Sequence, residues 1–316
     1  MGSHLKMDAL SQVFEDIHLK NTEYLYLQAQ GTWAFELSHQ TAMITYILLY
    51  GEAFLYFQNG EKLHLKTGDM AIIPSGMKHQ VFSHAEQTLL DIKNIDHLFK
   101  GLRDDEIILG DEDKKSEKSL IFSIRSQMDS IMGGPLVQAL PTYIHLHNAL
   151  NAQEPEWLRI GLYFVADETK TNRPGRHKIM DHVVSIMLIE CVRDYISTLS
   201  DQKNWLNALT HPELSLALSA IHSHPEKNWT VESLAECCFM SRSKFAHIFQ
   251  SVVNETPLAY LQKHRLRLAS QLLRISQLSV QQIAHKVGYS SESAFSQAFK
   301  KHFLCSPSQY RNTYIN

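Results

Sequence analysis

The apolar positions in the last third of the chain follow one pattern twice. Val231, Leu234, Ala235 and Cys238 stand at i, i+3, i+4 and i+7, and Val280, Ile283, Ala284 and Val287 do so 49 positions later. That spacing lines one face of a helix. Phe245, Ile248 and Phe249 return as Phe295, Ala298 and Phe299 after 50 positions, and Pro257 with Tyr260 returns as Pro307 with Tyr310. A fixed period of this kind means one supersecondary unit built twice. Each copy reads as two short helices joined by a tight turn. Ser279 followed by Gln282 fits a capping box, and Gly288 stands where that helix should stop. Ser241 and Ser291 are placed to cap the second helix of each copy.

If Phe245, Ile248, Phe249 and Val252 form the buried stripe, a turn of 100° per residue puts Ser243, Ala246, His247 and Gln250 on the opposite face. The matching positions in the second copy are Ser293, Ser296, Gln297 and Lys300. Arg242, Lys244 and Lys301 flank these faces. A helix that buries aromatics and shows Ser, His, Gln and Lys can lie in a major groove, with the flanking cations on phosphates. A plain helical bundle would also show solvated polar faces, but it gives no reason for two copies in register. Between the copies, residues 257–275 read as a long helix with Pro257 in its first turn and Leu258, Leu261, Leu268, Ala269 and Leu272 on its apolar face. Its length of about 27 Å is of the order needed to set two recognition helices one DNA turn, about 34 Å, apart.

Residues from about 214 to 314 resemble the AraC/XylS-type DNA-binding domain. The strings that carry the resemblance are WTVESLAECCFM (229–240), SRSKFAHIF (241–249), TPLAY (256–260), IAHKVGY (283–289), FSQAF (295–299) and SPSQYR (306–311). The resemblance implies two helix-turn-helix units joined by a long helix and facing one side of double-stranded promoter DNA. The expected DNA-binding residues are Ser241, Arg242, Ser243, Lys244, His247 and Gln250 in the first copy. In the second they are Ser291, Ser293, Ser296, Gln297, Lys300 and Lys301.

Residues 20–95 carry the other periodicity. Tyr46, Leu48 and Tyr50 alternate with Ile47 and Leu49, as in a well-buried strand. Residues 54–58 run into Asn59-Gly60, a strong hairpin signal. Leu63 and Leu65 alternate with Lys62, His64 and Lys66, and Thr67-Gly68-Asp69 makes another turn. Many short strands with such turns point to a sandwich or barrel. Within them, Gly68, Pro74, Gly76 and His79 stand in the order G-x5-P-x-G-x2-H, which resembles the second motif of the cupin barrel. In metal-binding cupins this His is a ligand, and the first motif supplies two His and a Glu. Counted back from Gly51, the Glu position is Ile44, one His is His39 and its partner position is Leu37. At most His39 and His79 remain, a poor set for a catalytic divalent metal. His79 reads three ways: with His39 and Tyr46 as lining of a ligand pocket, as a core histidine, or as a metal ligand. No cofactor is expected; a metal at His39 and His79 is the weaker alternative.

Further on, residues 104–118 are polar and charged, as in a loop or barrel-edge segment. Gly133-Gly134-Pro135 breaks the chain, and MGGPLVQALP (132–141) resembles cupin-type AraC regulators. His145 and His147 would share one side of a strand, but with no carboxylate nearby in sequence a metal role is disfavoured. Residues 157–169 and 178–199 read as helices. The second shows Ile179, Val183, Ile186, Met187, Ile189 and Val192, a surface for a neighbouring helix or a dimer seam. His177, His182 and Arg176 form no recognisable acid–base set.

Composition sharpens this picture. With 316 residues, 44% hydrophobic and 20% charged, the chain can bury two cores. No apolar run reaches the length of a membrane span, and no leader pattern is present. Residues 1–6 (MGSHLK) read as a vector-derived remnant before Met7. From His211 onward eleven Lys and Arg face six Asp and Glu, a net of +5; the whole chain is −3, so residues 1–210 carry −8. The basic end suits phosphates. Four cysteines, Cys191, Cys237, Cys238 and Cys305, have no metal spacing and fit a reduced cytosol, with Cys191 the one candidate thiol sensor ahead of the repeats.

The expected fold class is α+β multidomain: a cupin-like β-barrel over residues 7–130, a helical spacer and linker over 131–210, with the linker at 200–212, and an all-α double helix-turn-helix domain over 211–316. The function the resemblance implies is a cytoplasmic, nucleoid-associated, sequence-specific transcriptional regulator and not an enzyme. Activation is the usual mode in the family. The expected partners are promoter DNA, RNA polymerase if it activates, an unidentified small-molecule effector and a second copy as homodimer, with no membrane. The alternative is a metal-dependent cupin enzyme with a helical interaction tail.

Overall fold

A computed structural model describes residues 8–17, 19–38, 42–85, 92–99, 102–110, 117–148, 156–170, 173–199 and 205–315. The chain forms two compact units that are not contiguous in sequence. One comprises residues 18–130 and 140–195, the other residues 1–17, 131–139 and 196–316.

The first unit is strand-rich. Its strands are β1 (Leu19–Gln30), β2 (Ala34–Leu37), β3 (Ala42–Tyr50), β4 (Glu52–Phe57), β5 (Lys62–Lys66), β6 (Met70–Ile73), β7 (His79–Phe82), β8 (Lys93–Asn94), β9 (Leu102–Gly110), β10 (Lys118–Met128) and β11 (Ile144–Leu146). They make a six-stranded sheet in the order β11-β6-β3-β10-β1-β9 and a five-stranded sheet in the order β5-β4-β7-β2-β8. Alternate residues of both sheets meet in one core that includes Leu25, Leu27, Phe35, Leu37, Ile44, Tyr46, Leu55 and Phe57. β3 is buried on both faces through Leu48, as its unbroken apolar run suggests. Asn59-Gly60 does close the β4–β5 hairpin. Gly60 takes φ 89 in the turn, and the Phe57 N–H donates to the Glu61 carbonyl at 2.9 Å. Of the polar stretch 104–118, residues 104–110 belong to the edge strand β9, paired in parallel with β1, and residues 111–116 lie outside the described residues.

Two helices belong to this unit. α1 (Ala9–Asp16) and α2 (Gly134–Ala139) lie in the other unit, whereas α3 (Glu156–Lys170) and, as far as Tyr195, α4 (Arg176–Thr198) lie in this one. α4 is held against β1. The Thr22 N–H donates to Asp181 at 3.0 Å, and Arg176 reaches the Tyr24 hydroxyl and stacks over its ring.

The helical unit continues with α5 (Trp205–Thr210), α6 (Leu214–Ser223), α7 (Val231–Cys237), α8 (Arg242–Val253), α9 (Pro257–Ile275), α10 (Val280–Lys286), α11 (Glu292–Phe303) and α12 (Pro307–Ile315). The stretch expected as a linker, 200–212, thus contains a helix. α5 forms there because Leu206, Ala208 and Leu209 are buried against neighbouring helices of the unit. The repeat is reproduced element by element. α7 and α10 have seven residues each, and α8 and α11 have twelve. The period changes from 49 to 50 in the turn, where the second copy has one residue more. In the first copy Phe249 meets Tyr260 edge-on at 5.9 Å, and in the second Phe299 meets Tyr310 edge-on at 5.3 Å. α9 has the expected bounds, but its buried residues are Pro257, Tyr260, Leu261, His264, Leu266, Ala269, Ser270 and Leu273, while Leu258 is exposed. The helix packs against both copies, so its buried surface is broader than one stripe and turned from the one expected.

Candidate nucleic-acid interface and effector cleft

The recognition helices start where their caps place them. The Ser241 hydroxyl accepts the Lys244 N–H at 3.4 Å, and the Ser291 hydroxyl accepts the Ala294 N–H at 3.2 Å. Each satisfies one of the N–H groups a helix start leaves open. Each helix ends on a left-handed residue, Asn254 at φ 61 and Leu304 at φ 63. Between these ends the pairs Phe245 with Phe249 and Phe295 with Phe299 are fully buried. That fixes the opposite face outward. Ser241, Arg242, Ser243, Lys244, His247 and Gln250 are exposed, as are Ser291, Ser293, Gln297, Lys300 and Lys301; Ser296 is half-buried. Two of the cations already have carboxylate neighbours, Arg242 with Glu232 at 2.8 Å and Lys244 with Glu213 at 3.8 Å. Both pairs are exposed, hold little energy and can be exchanged for phosphate. One further exposed group escaped sequence reading. Phe239 is 92% exposed with φ 55 in the turn of the first copy, where the second copy has Gly288.

The strand-rich unit brings Tyr46 and His79 together, as a closed core pair. Both are 1% exposed. The Tyr46 hydroxyl lies 2.8 Å from His79 Nε2, and His79 Nδ1 lies 2.6 Å from the Met77 carbonyl oxygen. The carbonyl can only accept, so Nδ1 carries the hydrogen and Nε2 accepts from Tyr46. Both nitrogens are then in use and none is left for a metal. Burial also pushes the His79 pKa down to about 4, which keeps the ring neutral, and it pushes the Tyr46 phenol up. Leu37 and Ile44, at the positions of the missing cupin ligands, are fully buried apolar residues. The residues present do not fit the metal of metal-binding cupins. His39 lies outside the described residues. Of the three readings of His79, the geometry is that of a core histidine.

Space for a ligand lies elsewhere, in a cleft of about 310 Å3 among the turns at the ends of β1, β3, β7 and the start of β10. Trp33, Tyr50, Glu52, Ser83, His84 and Lys118 line it. These residues are scattered over 86 positions and carry no shared motif, so no sequence signal marks the cleft. A second grouping was misjudged for the same reason. Asp69 accepts from His145 Nε2 at 3.0 Å, and the rings of His145 and His147 are 3.9 Å apart. The carboxylate missing beside the H-x-H in sequence arrives from the β5–β6 turn. Cys191 is fully buried, and burial, with Asp194 and Glu190 adding, pushes its thiol up to about 12. That is the environment of an inert cysteine.

A cupin family model matches residues 8–197, and a helix-turn-helix domain model matches residues 234–313. The chain is 58% identical over 305 residues to the HTH-type transcriptional regulator AlkR of Acinetobacter baylyi, covering 96% of this chain and 99% of that protein. It is 30% identical to the RCS-specific HTH-type transcriptional activator RclR of Escherichia coli K12, covering 84% and 82%. Among solved structures, the DNA-binding domain of AdpA in complex with a target DNA is 32% identical, covers 33% of this chain and 92% of that one, and has a TM-score of 0.31. The chain belongs to the AraC-type helix-turn-helix transcriptional regulators with an N-terminal cupin domain. It is a DNA-binding regulator and not an enzyme, so the reading as a metal-dependent cupin enzyme with an interaction tail is set aside. Among the described residues no helix is long and apolar enough to cross a membrane.

Proposed function

We propose that the chain activates transcription from promoters it binds through α8 and α11, under the control of a small-molecule effector held in the strand-rich unit. The observation that carries this reading is the pairing of two helices of equal length, each capped by a serine and each turning a hydrogen-bonding, basic face outward over a buried Phe pair. Such faces suit direct readout of base edges in successive major-groove segments. The effector is proposed to sit in the cleft beside Trp33, Tyr50, Glu52, His84 and Lys118, whose volume falls in the range of small-molecule sites, about 300–1,000 Å3. It can act only by binding one arrangement of the regulator better than another. Activation further implies contact with RNA polymerase. A homodimer is supported by the exposed Tyr163, Phe164 and Ile186 on α3 and α4. The setting would be the cytoplasm, at the nucleoid.

Selection of binding sites from random duplex DNA, followed by footprinting, tests the reading. The expected site has two protected segments about ten base pairs apart on one face of the helix. Recovery of no enriched sequence by the full chain would remove it. Affinity and transcription that never respond to any ligand would instead make this a constitutive regulator.

A further inference from the structure

We propose that Asp16, His222 and His264 form a binding site for one divalent transition-metal ion of the zinc class, inside the helical unit. Asp16 is the last residue of α1, His222 stands in the last turn of α6, and His264 lies in the second turn of α9. Sequence separations of 206 and 42 residues hide the grouping from any motif search. In the folded unit, one ligand atom from each residue lies within 4.8 Å of the other two.

Three observations point to an ion. First, His264 is 1% exposed, and its Nε2 has no hydrogen-bond partner among the described residues. A buried imidazole nitrogen without a partner is costly, and coordination to an ion would satisfy it. Second, His222 Nδ1 stands 3.3 Å from Asp16 Oδ2. That is long for a charge-assisted hydrogen bond, which favours about 2.7–2.9 Å. It equals the edge of a tetrahedron, about 3.3–3.4 Å, whose corners sit about 2.0–2.1 Å from a central zinc ion. Third, the other nitrogen of His222, Nε2, lies 2.8 Å from the Tyr260 hydroxyl, which also takes the Trp205 indole N–H at 3.3 Å. A metal-bound His needs a partner of this kind to hold its second N–H and fix its tautomer.

The space fits as well. A cavity of about 10 Å3 lies among Asp16, His222, His264, Met132, Trp205 and Arg267. That is room for a single ion or a single water. Two imidazoles and one carboxylate suit zinc, cobalt or nickel, and they do not suit magnesium or calcium, which take oxygen ligands. Arg267 places a positive charge at the same cavity and lowers the affinity, with Asp16 offsetting it. The bound ion would tie α1 to the two helices that carry His222 and His264.

The test uses the full chain, stripped of metal by a chelator and titrated with Co2+, with Zn2+ added afterwards. The Asp69, His145 and His147 cluster is a second place for such ions, so the titration is repeated in His145→Ala. We expect one equivalent of Co2+ with the visible absorption of a four-coordinate ion, displaced by Zn2+ and retained in His145→Ala. Asp16→Asn, His222→Gln and His264→Gln should each weaken it at least tenfold, with the circular dichroism of the metal-free chains unchanged. Zn2+ should also slow amide exchange in α1 of the unaltered chain at least tenfold, a readout that needs no variant. No uptake, uptake lost in His145→Ala, or α1 exchange unaffected by Zn2+ would each overturn the proposal and leave a buried water as the occupant.

Discussion

The hydroxyl of Tyr46 and Nε2 of His79 lie 2.8 Å apart in a core where each residue is 1% exposed. The pair holds the strand that carries the second cupin-type motif against β3 without any metal. Its stability depends on His79 staying neutral. The folded pKa of about 4 lies below the 6.5 of an exposed histidine. Below pH 6.5 the unfolded chain takes up a proton that the folded chain refuses, so stability falls as the pH drops from 6.5 to 4. Over that window His79 alone accounts for roughly 3 kcal/mol. Burial lowers His264 in the same direction, so some slope persists without His79. Urea unfolding midpoints at pH 7, 5.5 and 4.5 should fall in the unaltered chain and fall less steeply in His79→Gln. Parallel decline in both chains would show that His79 is not the group that titrates.

The helical repeat was legible because each of its constraints is local. Caps lie three residues from their targets, stripes recur every three or four, and Gly288 stands two residues past its helix, just beyond the C-cap Val287. The recognition faces follow from the stripes by rotation, and all of their residues except Ala246 and Ser296 are exposed as the rotation requires. Asp69 beside His145, by contrast, is a contact across 76 residues, made because β11 pairs with β6. Strand pairing decides it, and no period announces it. The same holds for α1, whose sequence is an ordinary amphipathic turn of helix but whose place is in the helical unit. α9 shows the intermediate case. Its ends were set by Pro257 and a local cap, whereas its buried face depends on helices packed from two sides.

Gln250 and Gln297 do not occupy matching positions. Gln250 corresponds to Lys300, and Gln297 to His247, so the two helices should read different base sequences. A bidentate amide contact to adenine is worth about 1–3 kcal/mol of discrimination. Gln250→Ala and Gln297→Ala are each expected to relax preference at one base position of the selected site, at different half-sites. The check is affinity for single-base-pair variants of the site. A mutant with the full preference of the parent would take that glutamine out of the readout.

Lys301 is exposed in the last turn of α11, to one side of the face that carries Gln297 and Lys300. A phosphate contact there neutralises one charge and releases condensed counterions. Lys301→Ala should weaken binding to all sequences alike and make the plot of log affinity against log salt shallower by about 0.9. Equal slopes for mutant and parent, measured between low and moderate salt, would contradict a phosphate contact.

The two turns offer a matched pair of substitutions, because Phe239 and Gly288 hold the same left-handed place, at φ 55 and φ 90. A side chain at Gly288 is strained by the backbone alone. Its Cβ would also come within 2.6 Å of the Arg265 guanidinium and 2.9 Å of the Glu226 Cα. Arg265 cannot give way freely, since its Nε and Nη2 donate to the carbonyls of Pro225 and Lys227 at 2.7 and 2.8 Å. Gly288→Ala should therefore cost about 1–3 kcal/mol. Phe239 pays the same kind of backbone strain while its ring, 92% exposed, recovers little by burial. Phe239→Gly relieves that strain but frees the unfolded chain, so a net gain of at most about 1 kcal/mol is expected. Thermal midpoints of the two variants should move in opposite directions. If Phe239→Gly instead leaves the fold intact and abolishes DNA affinity, the exposed ring is held in its strained turn for contact with a partner, and the turn belongs to the interface.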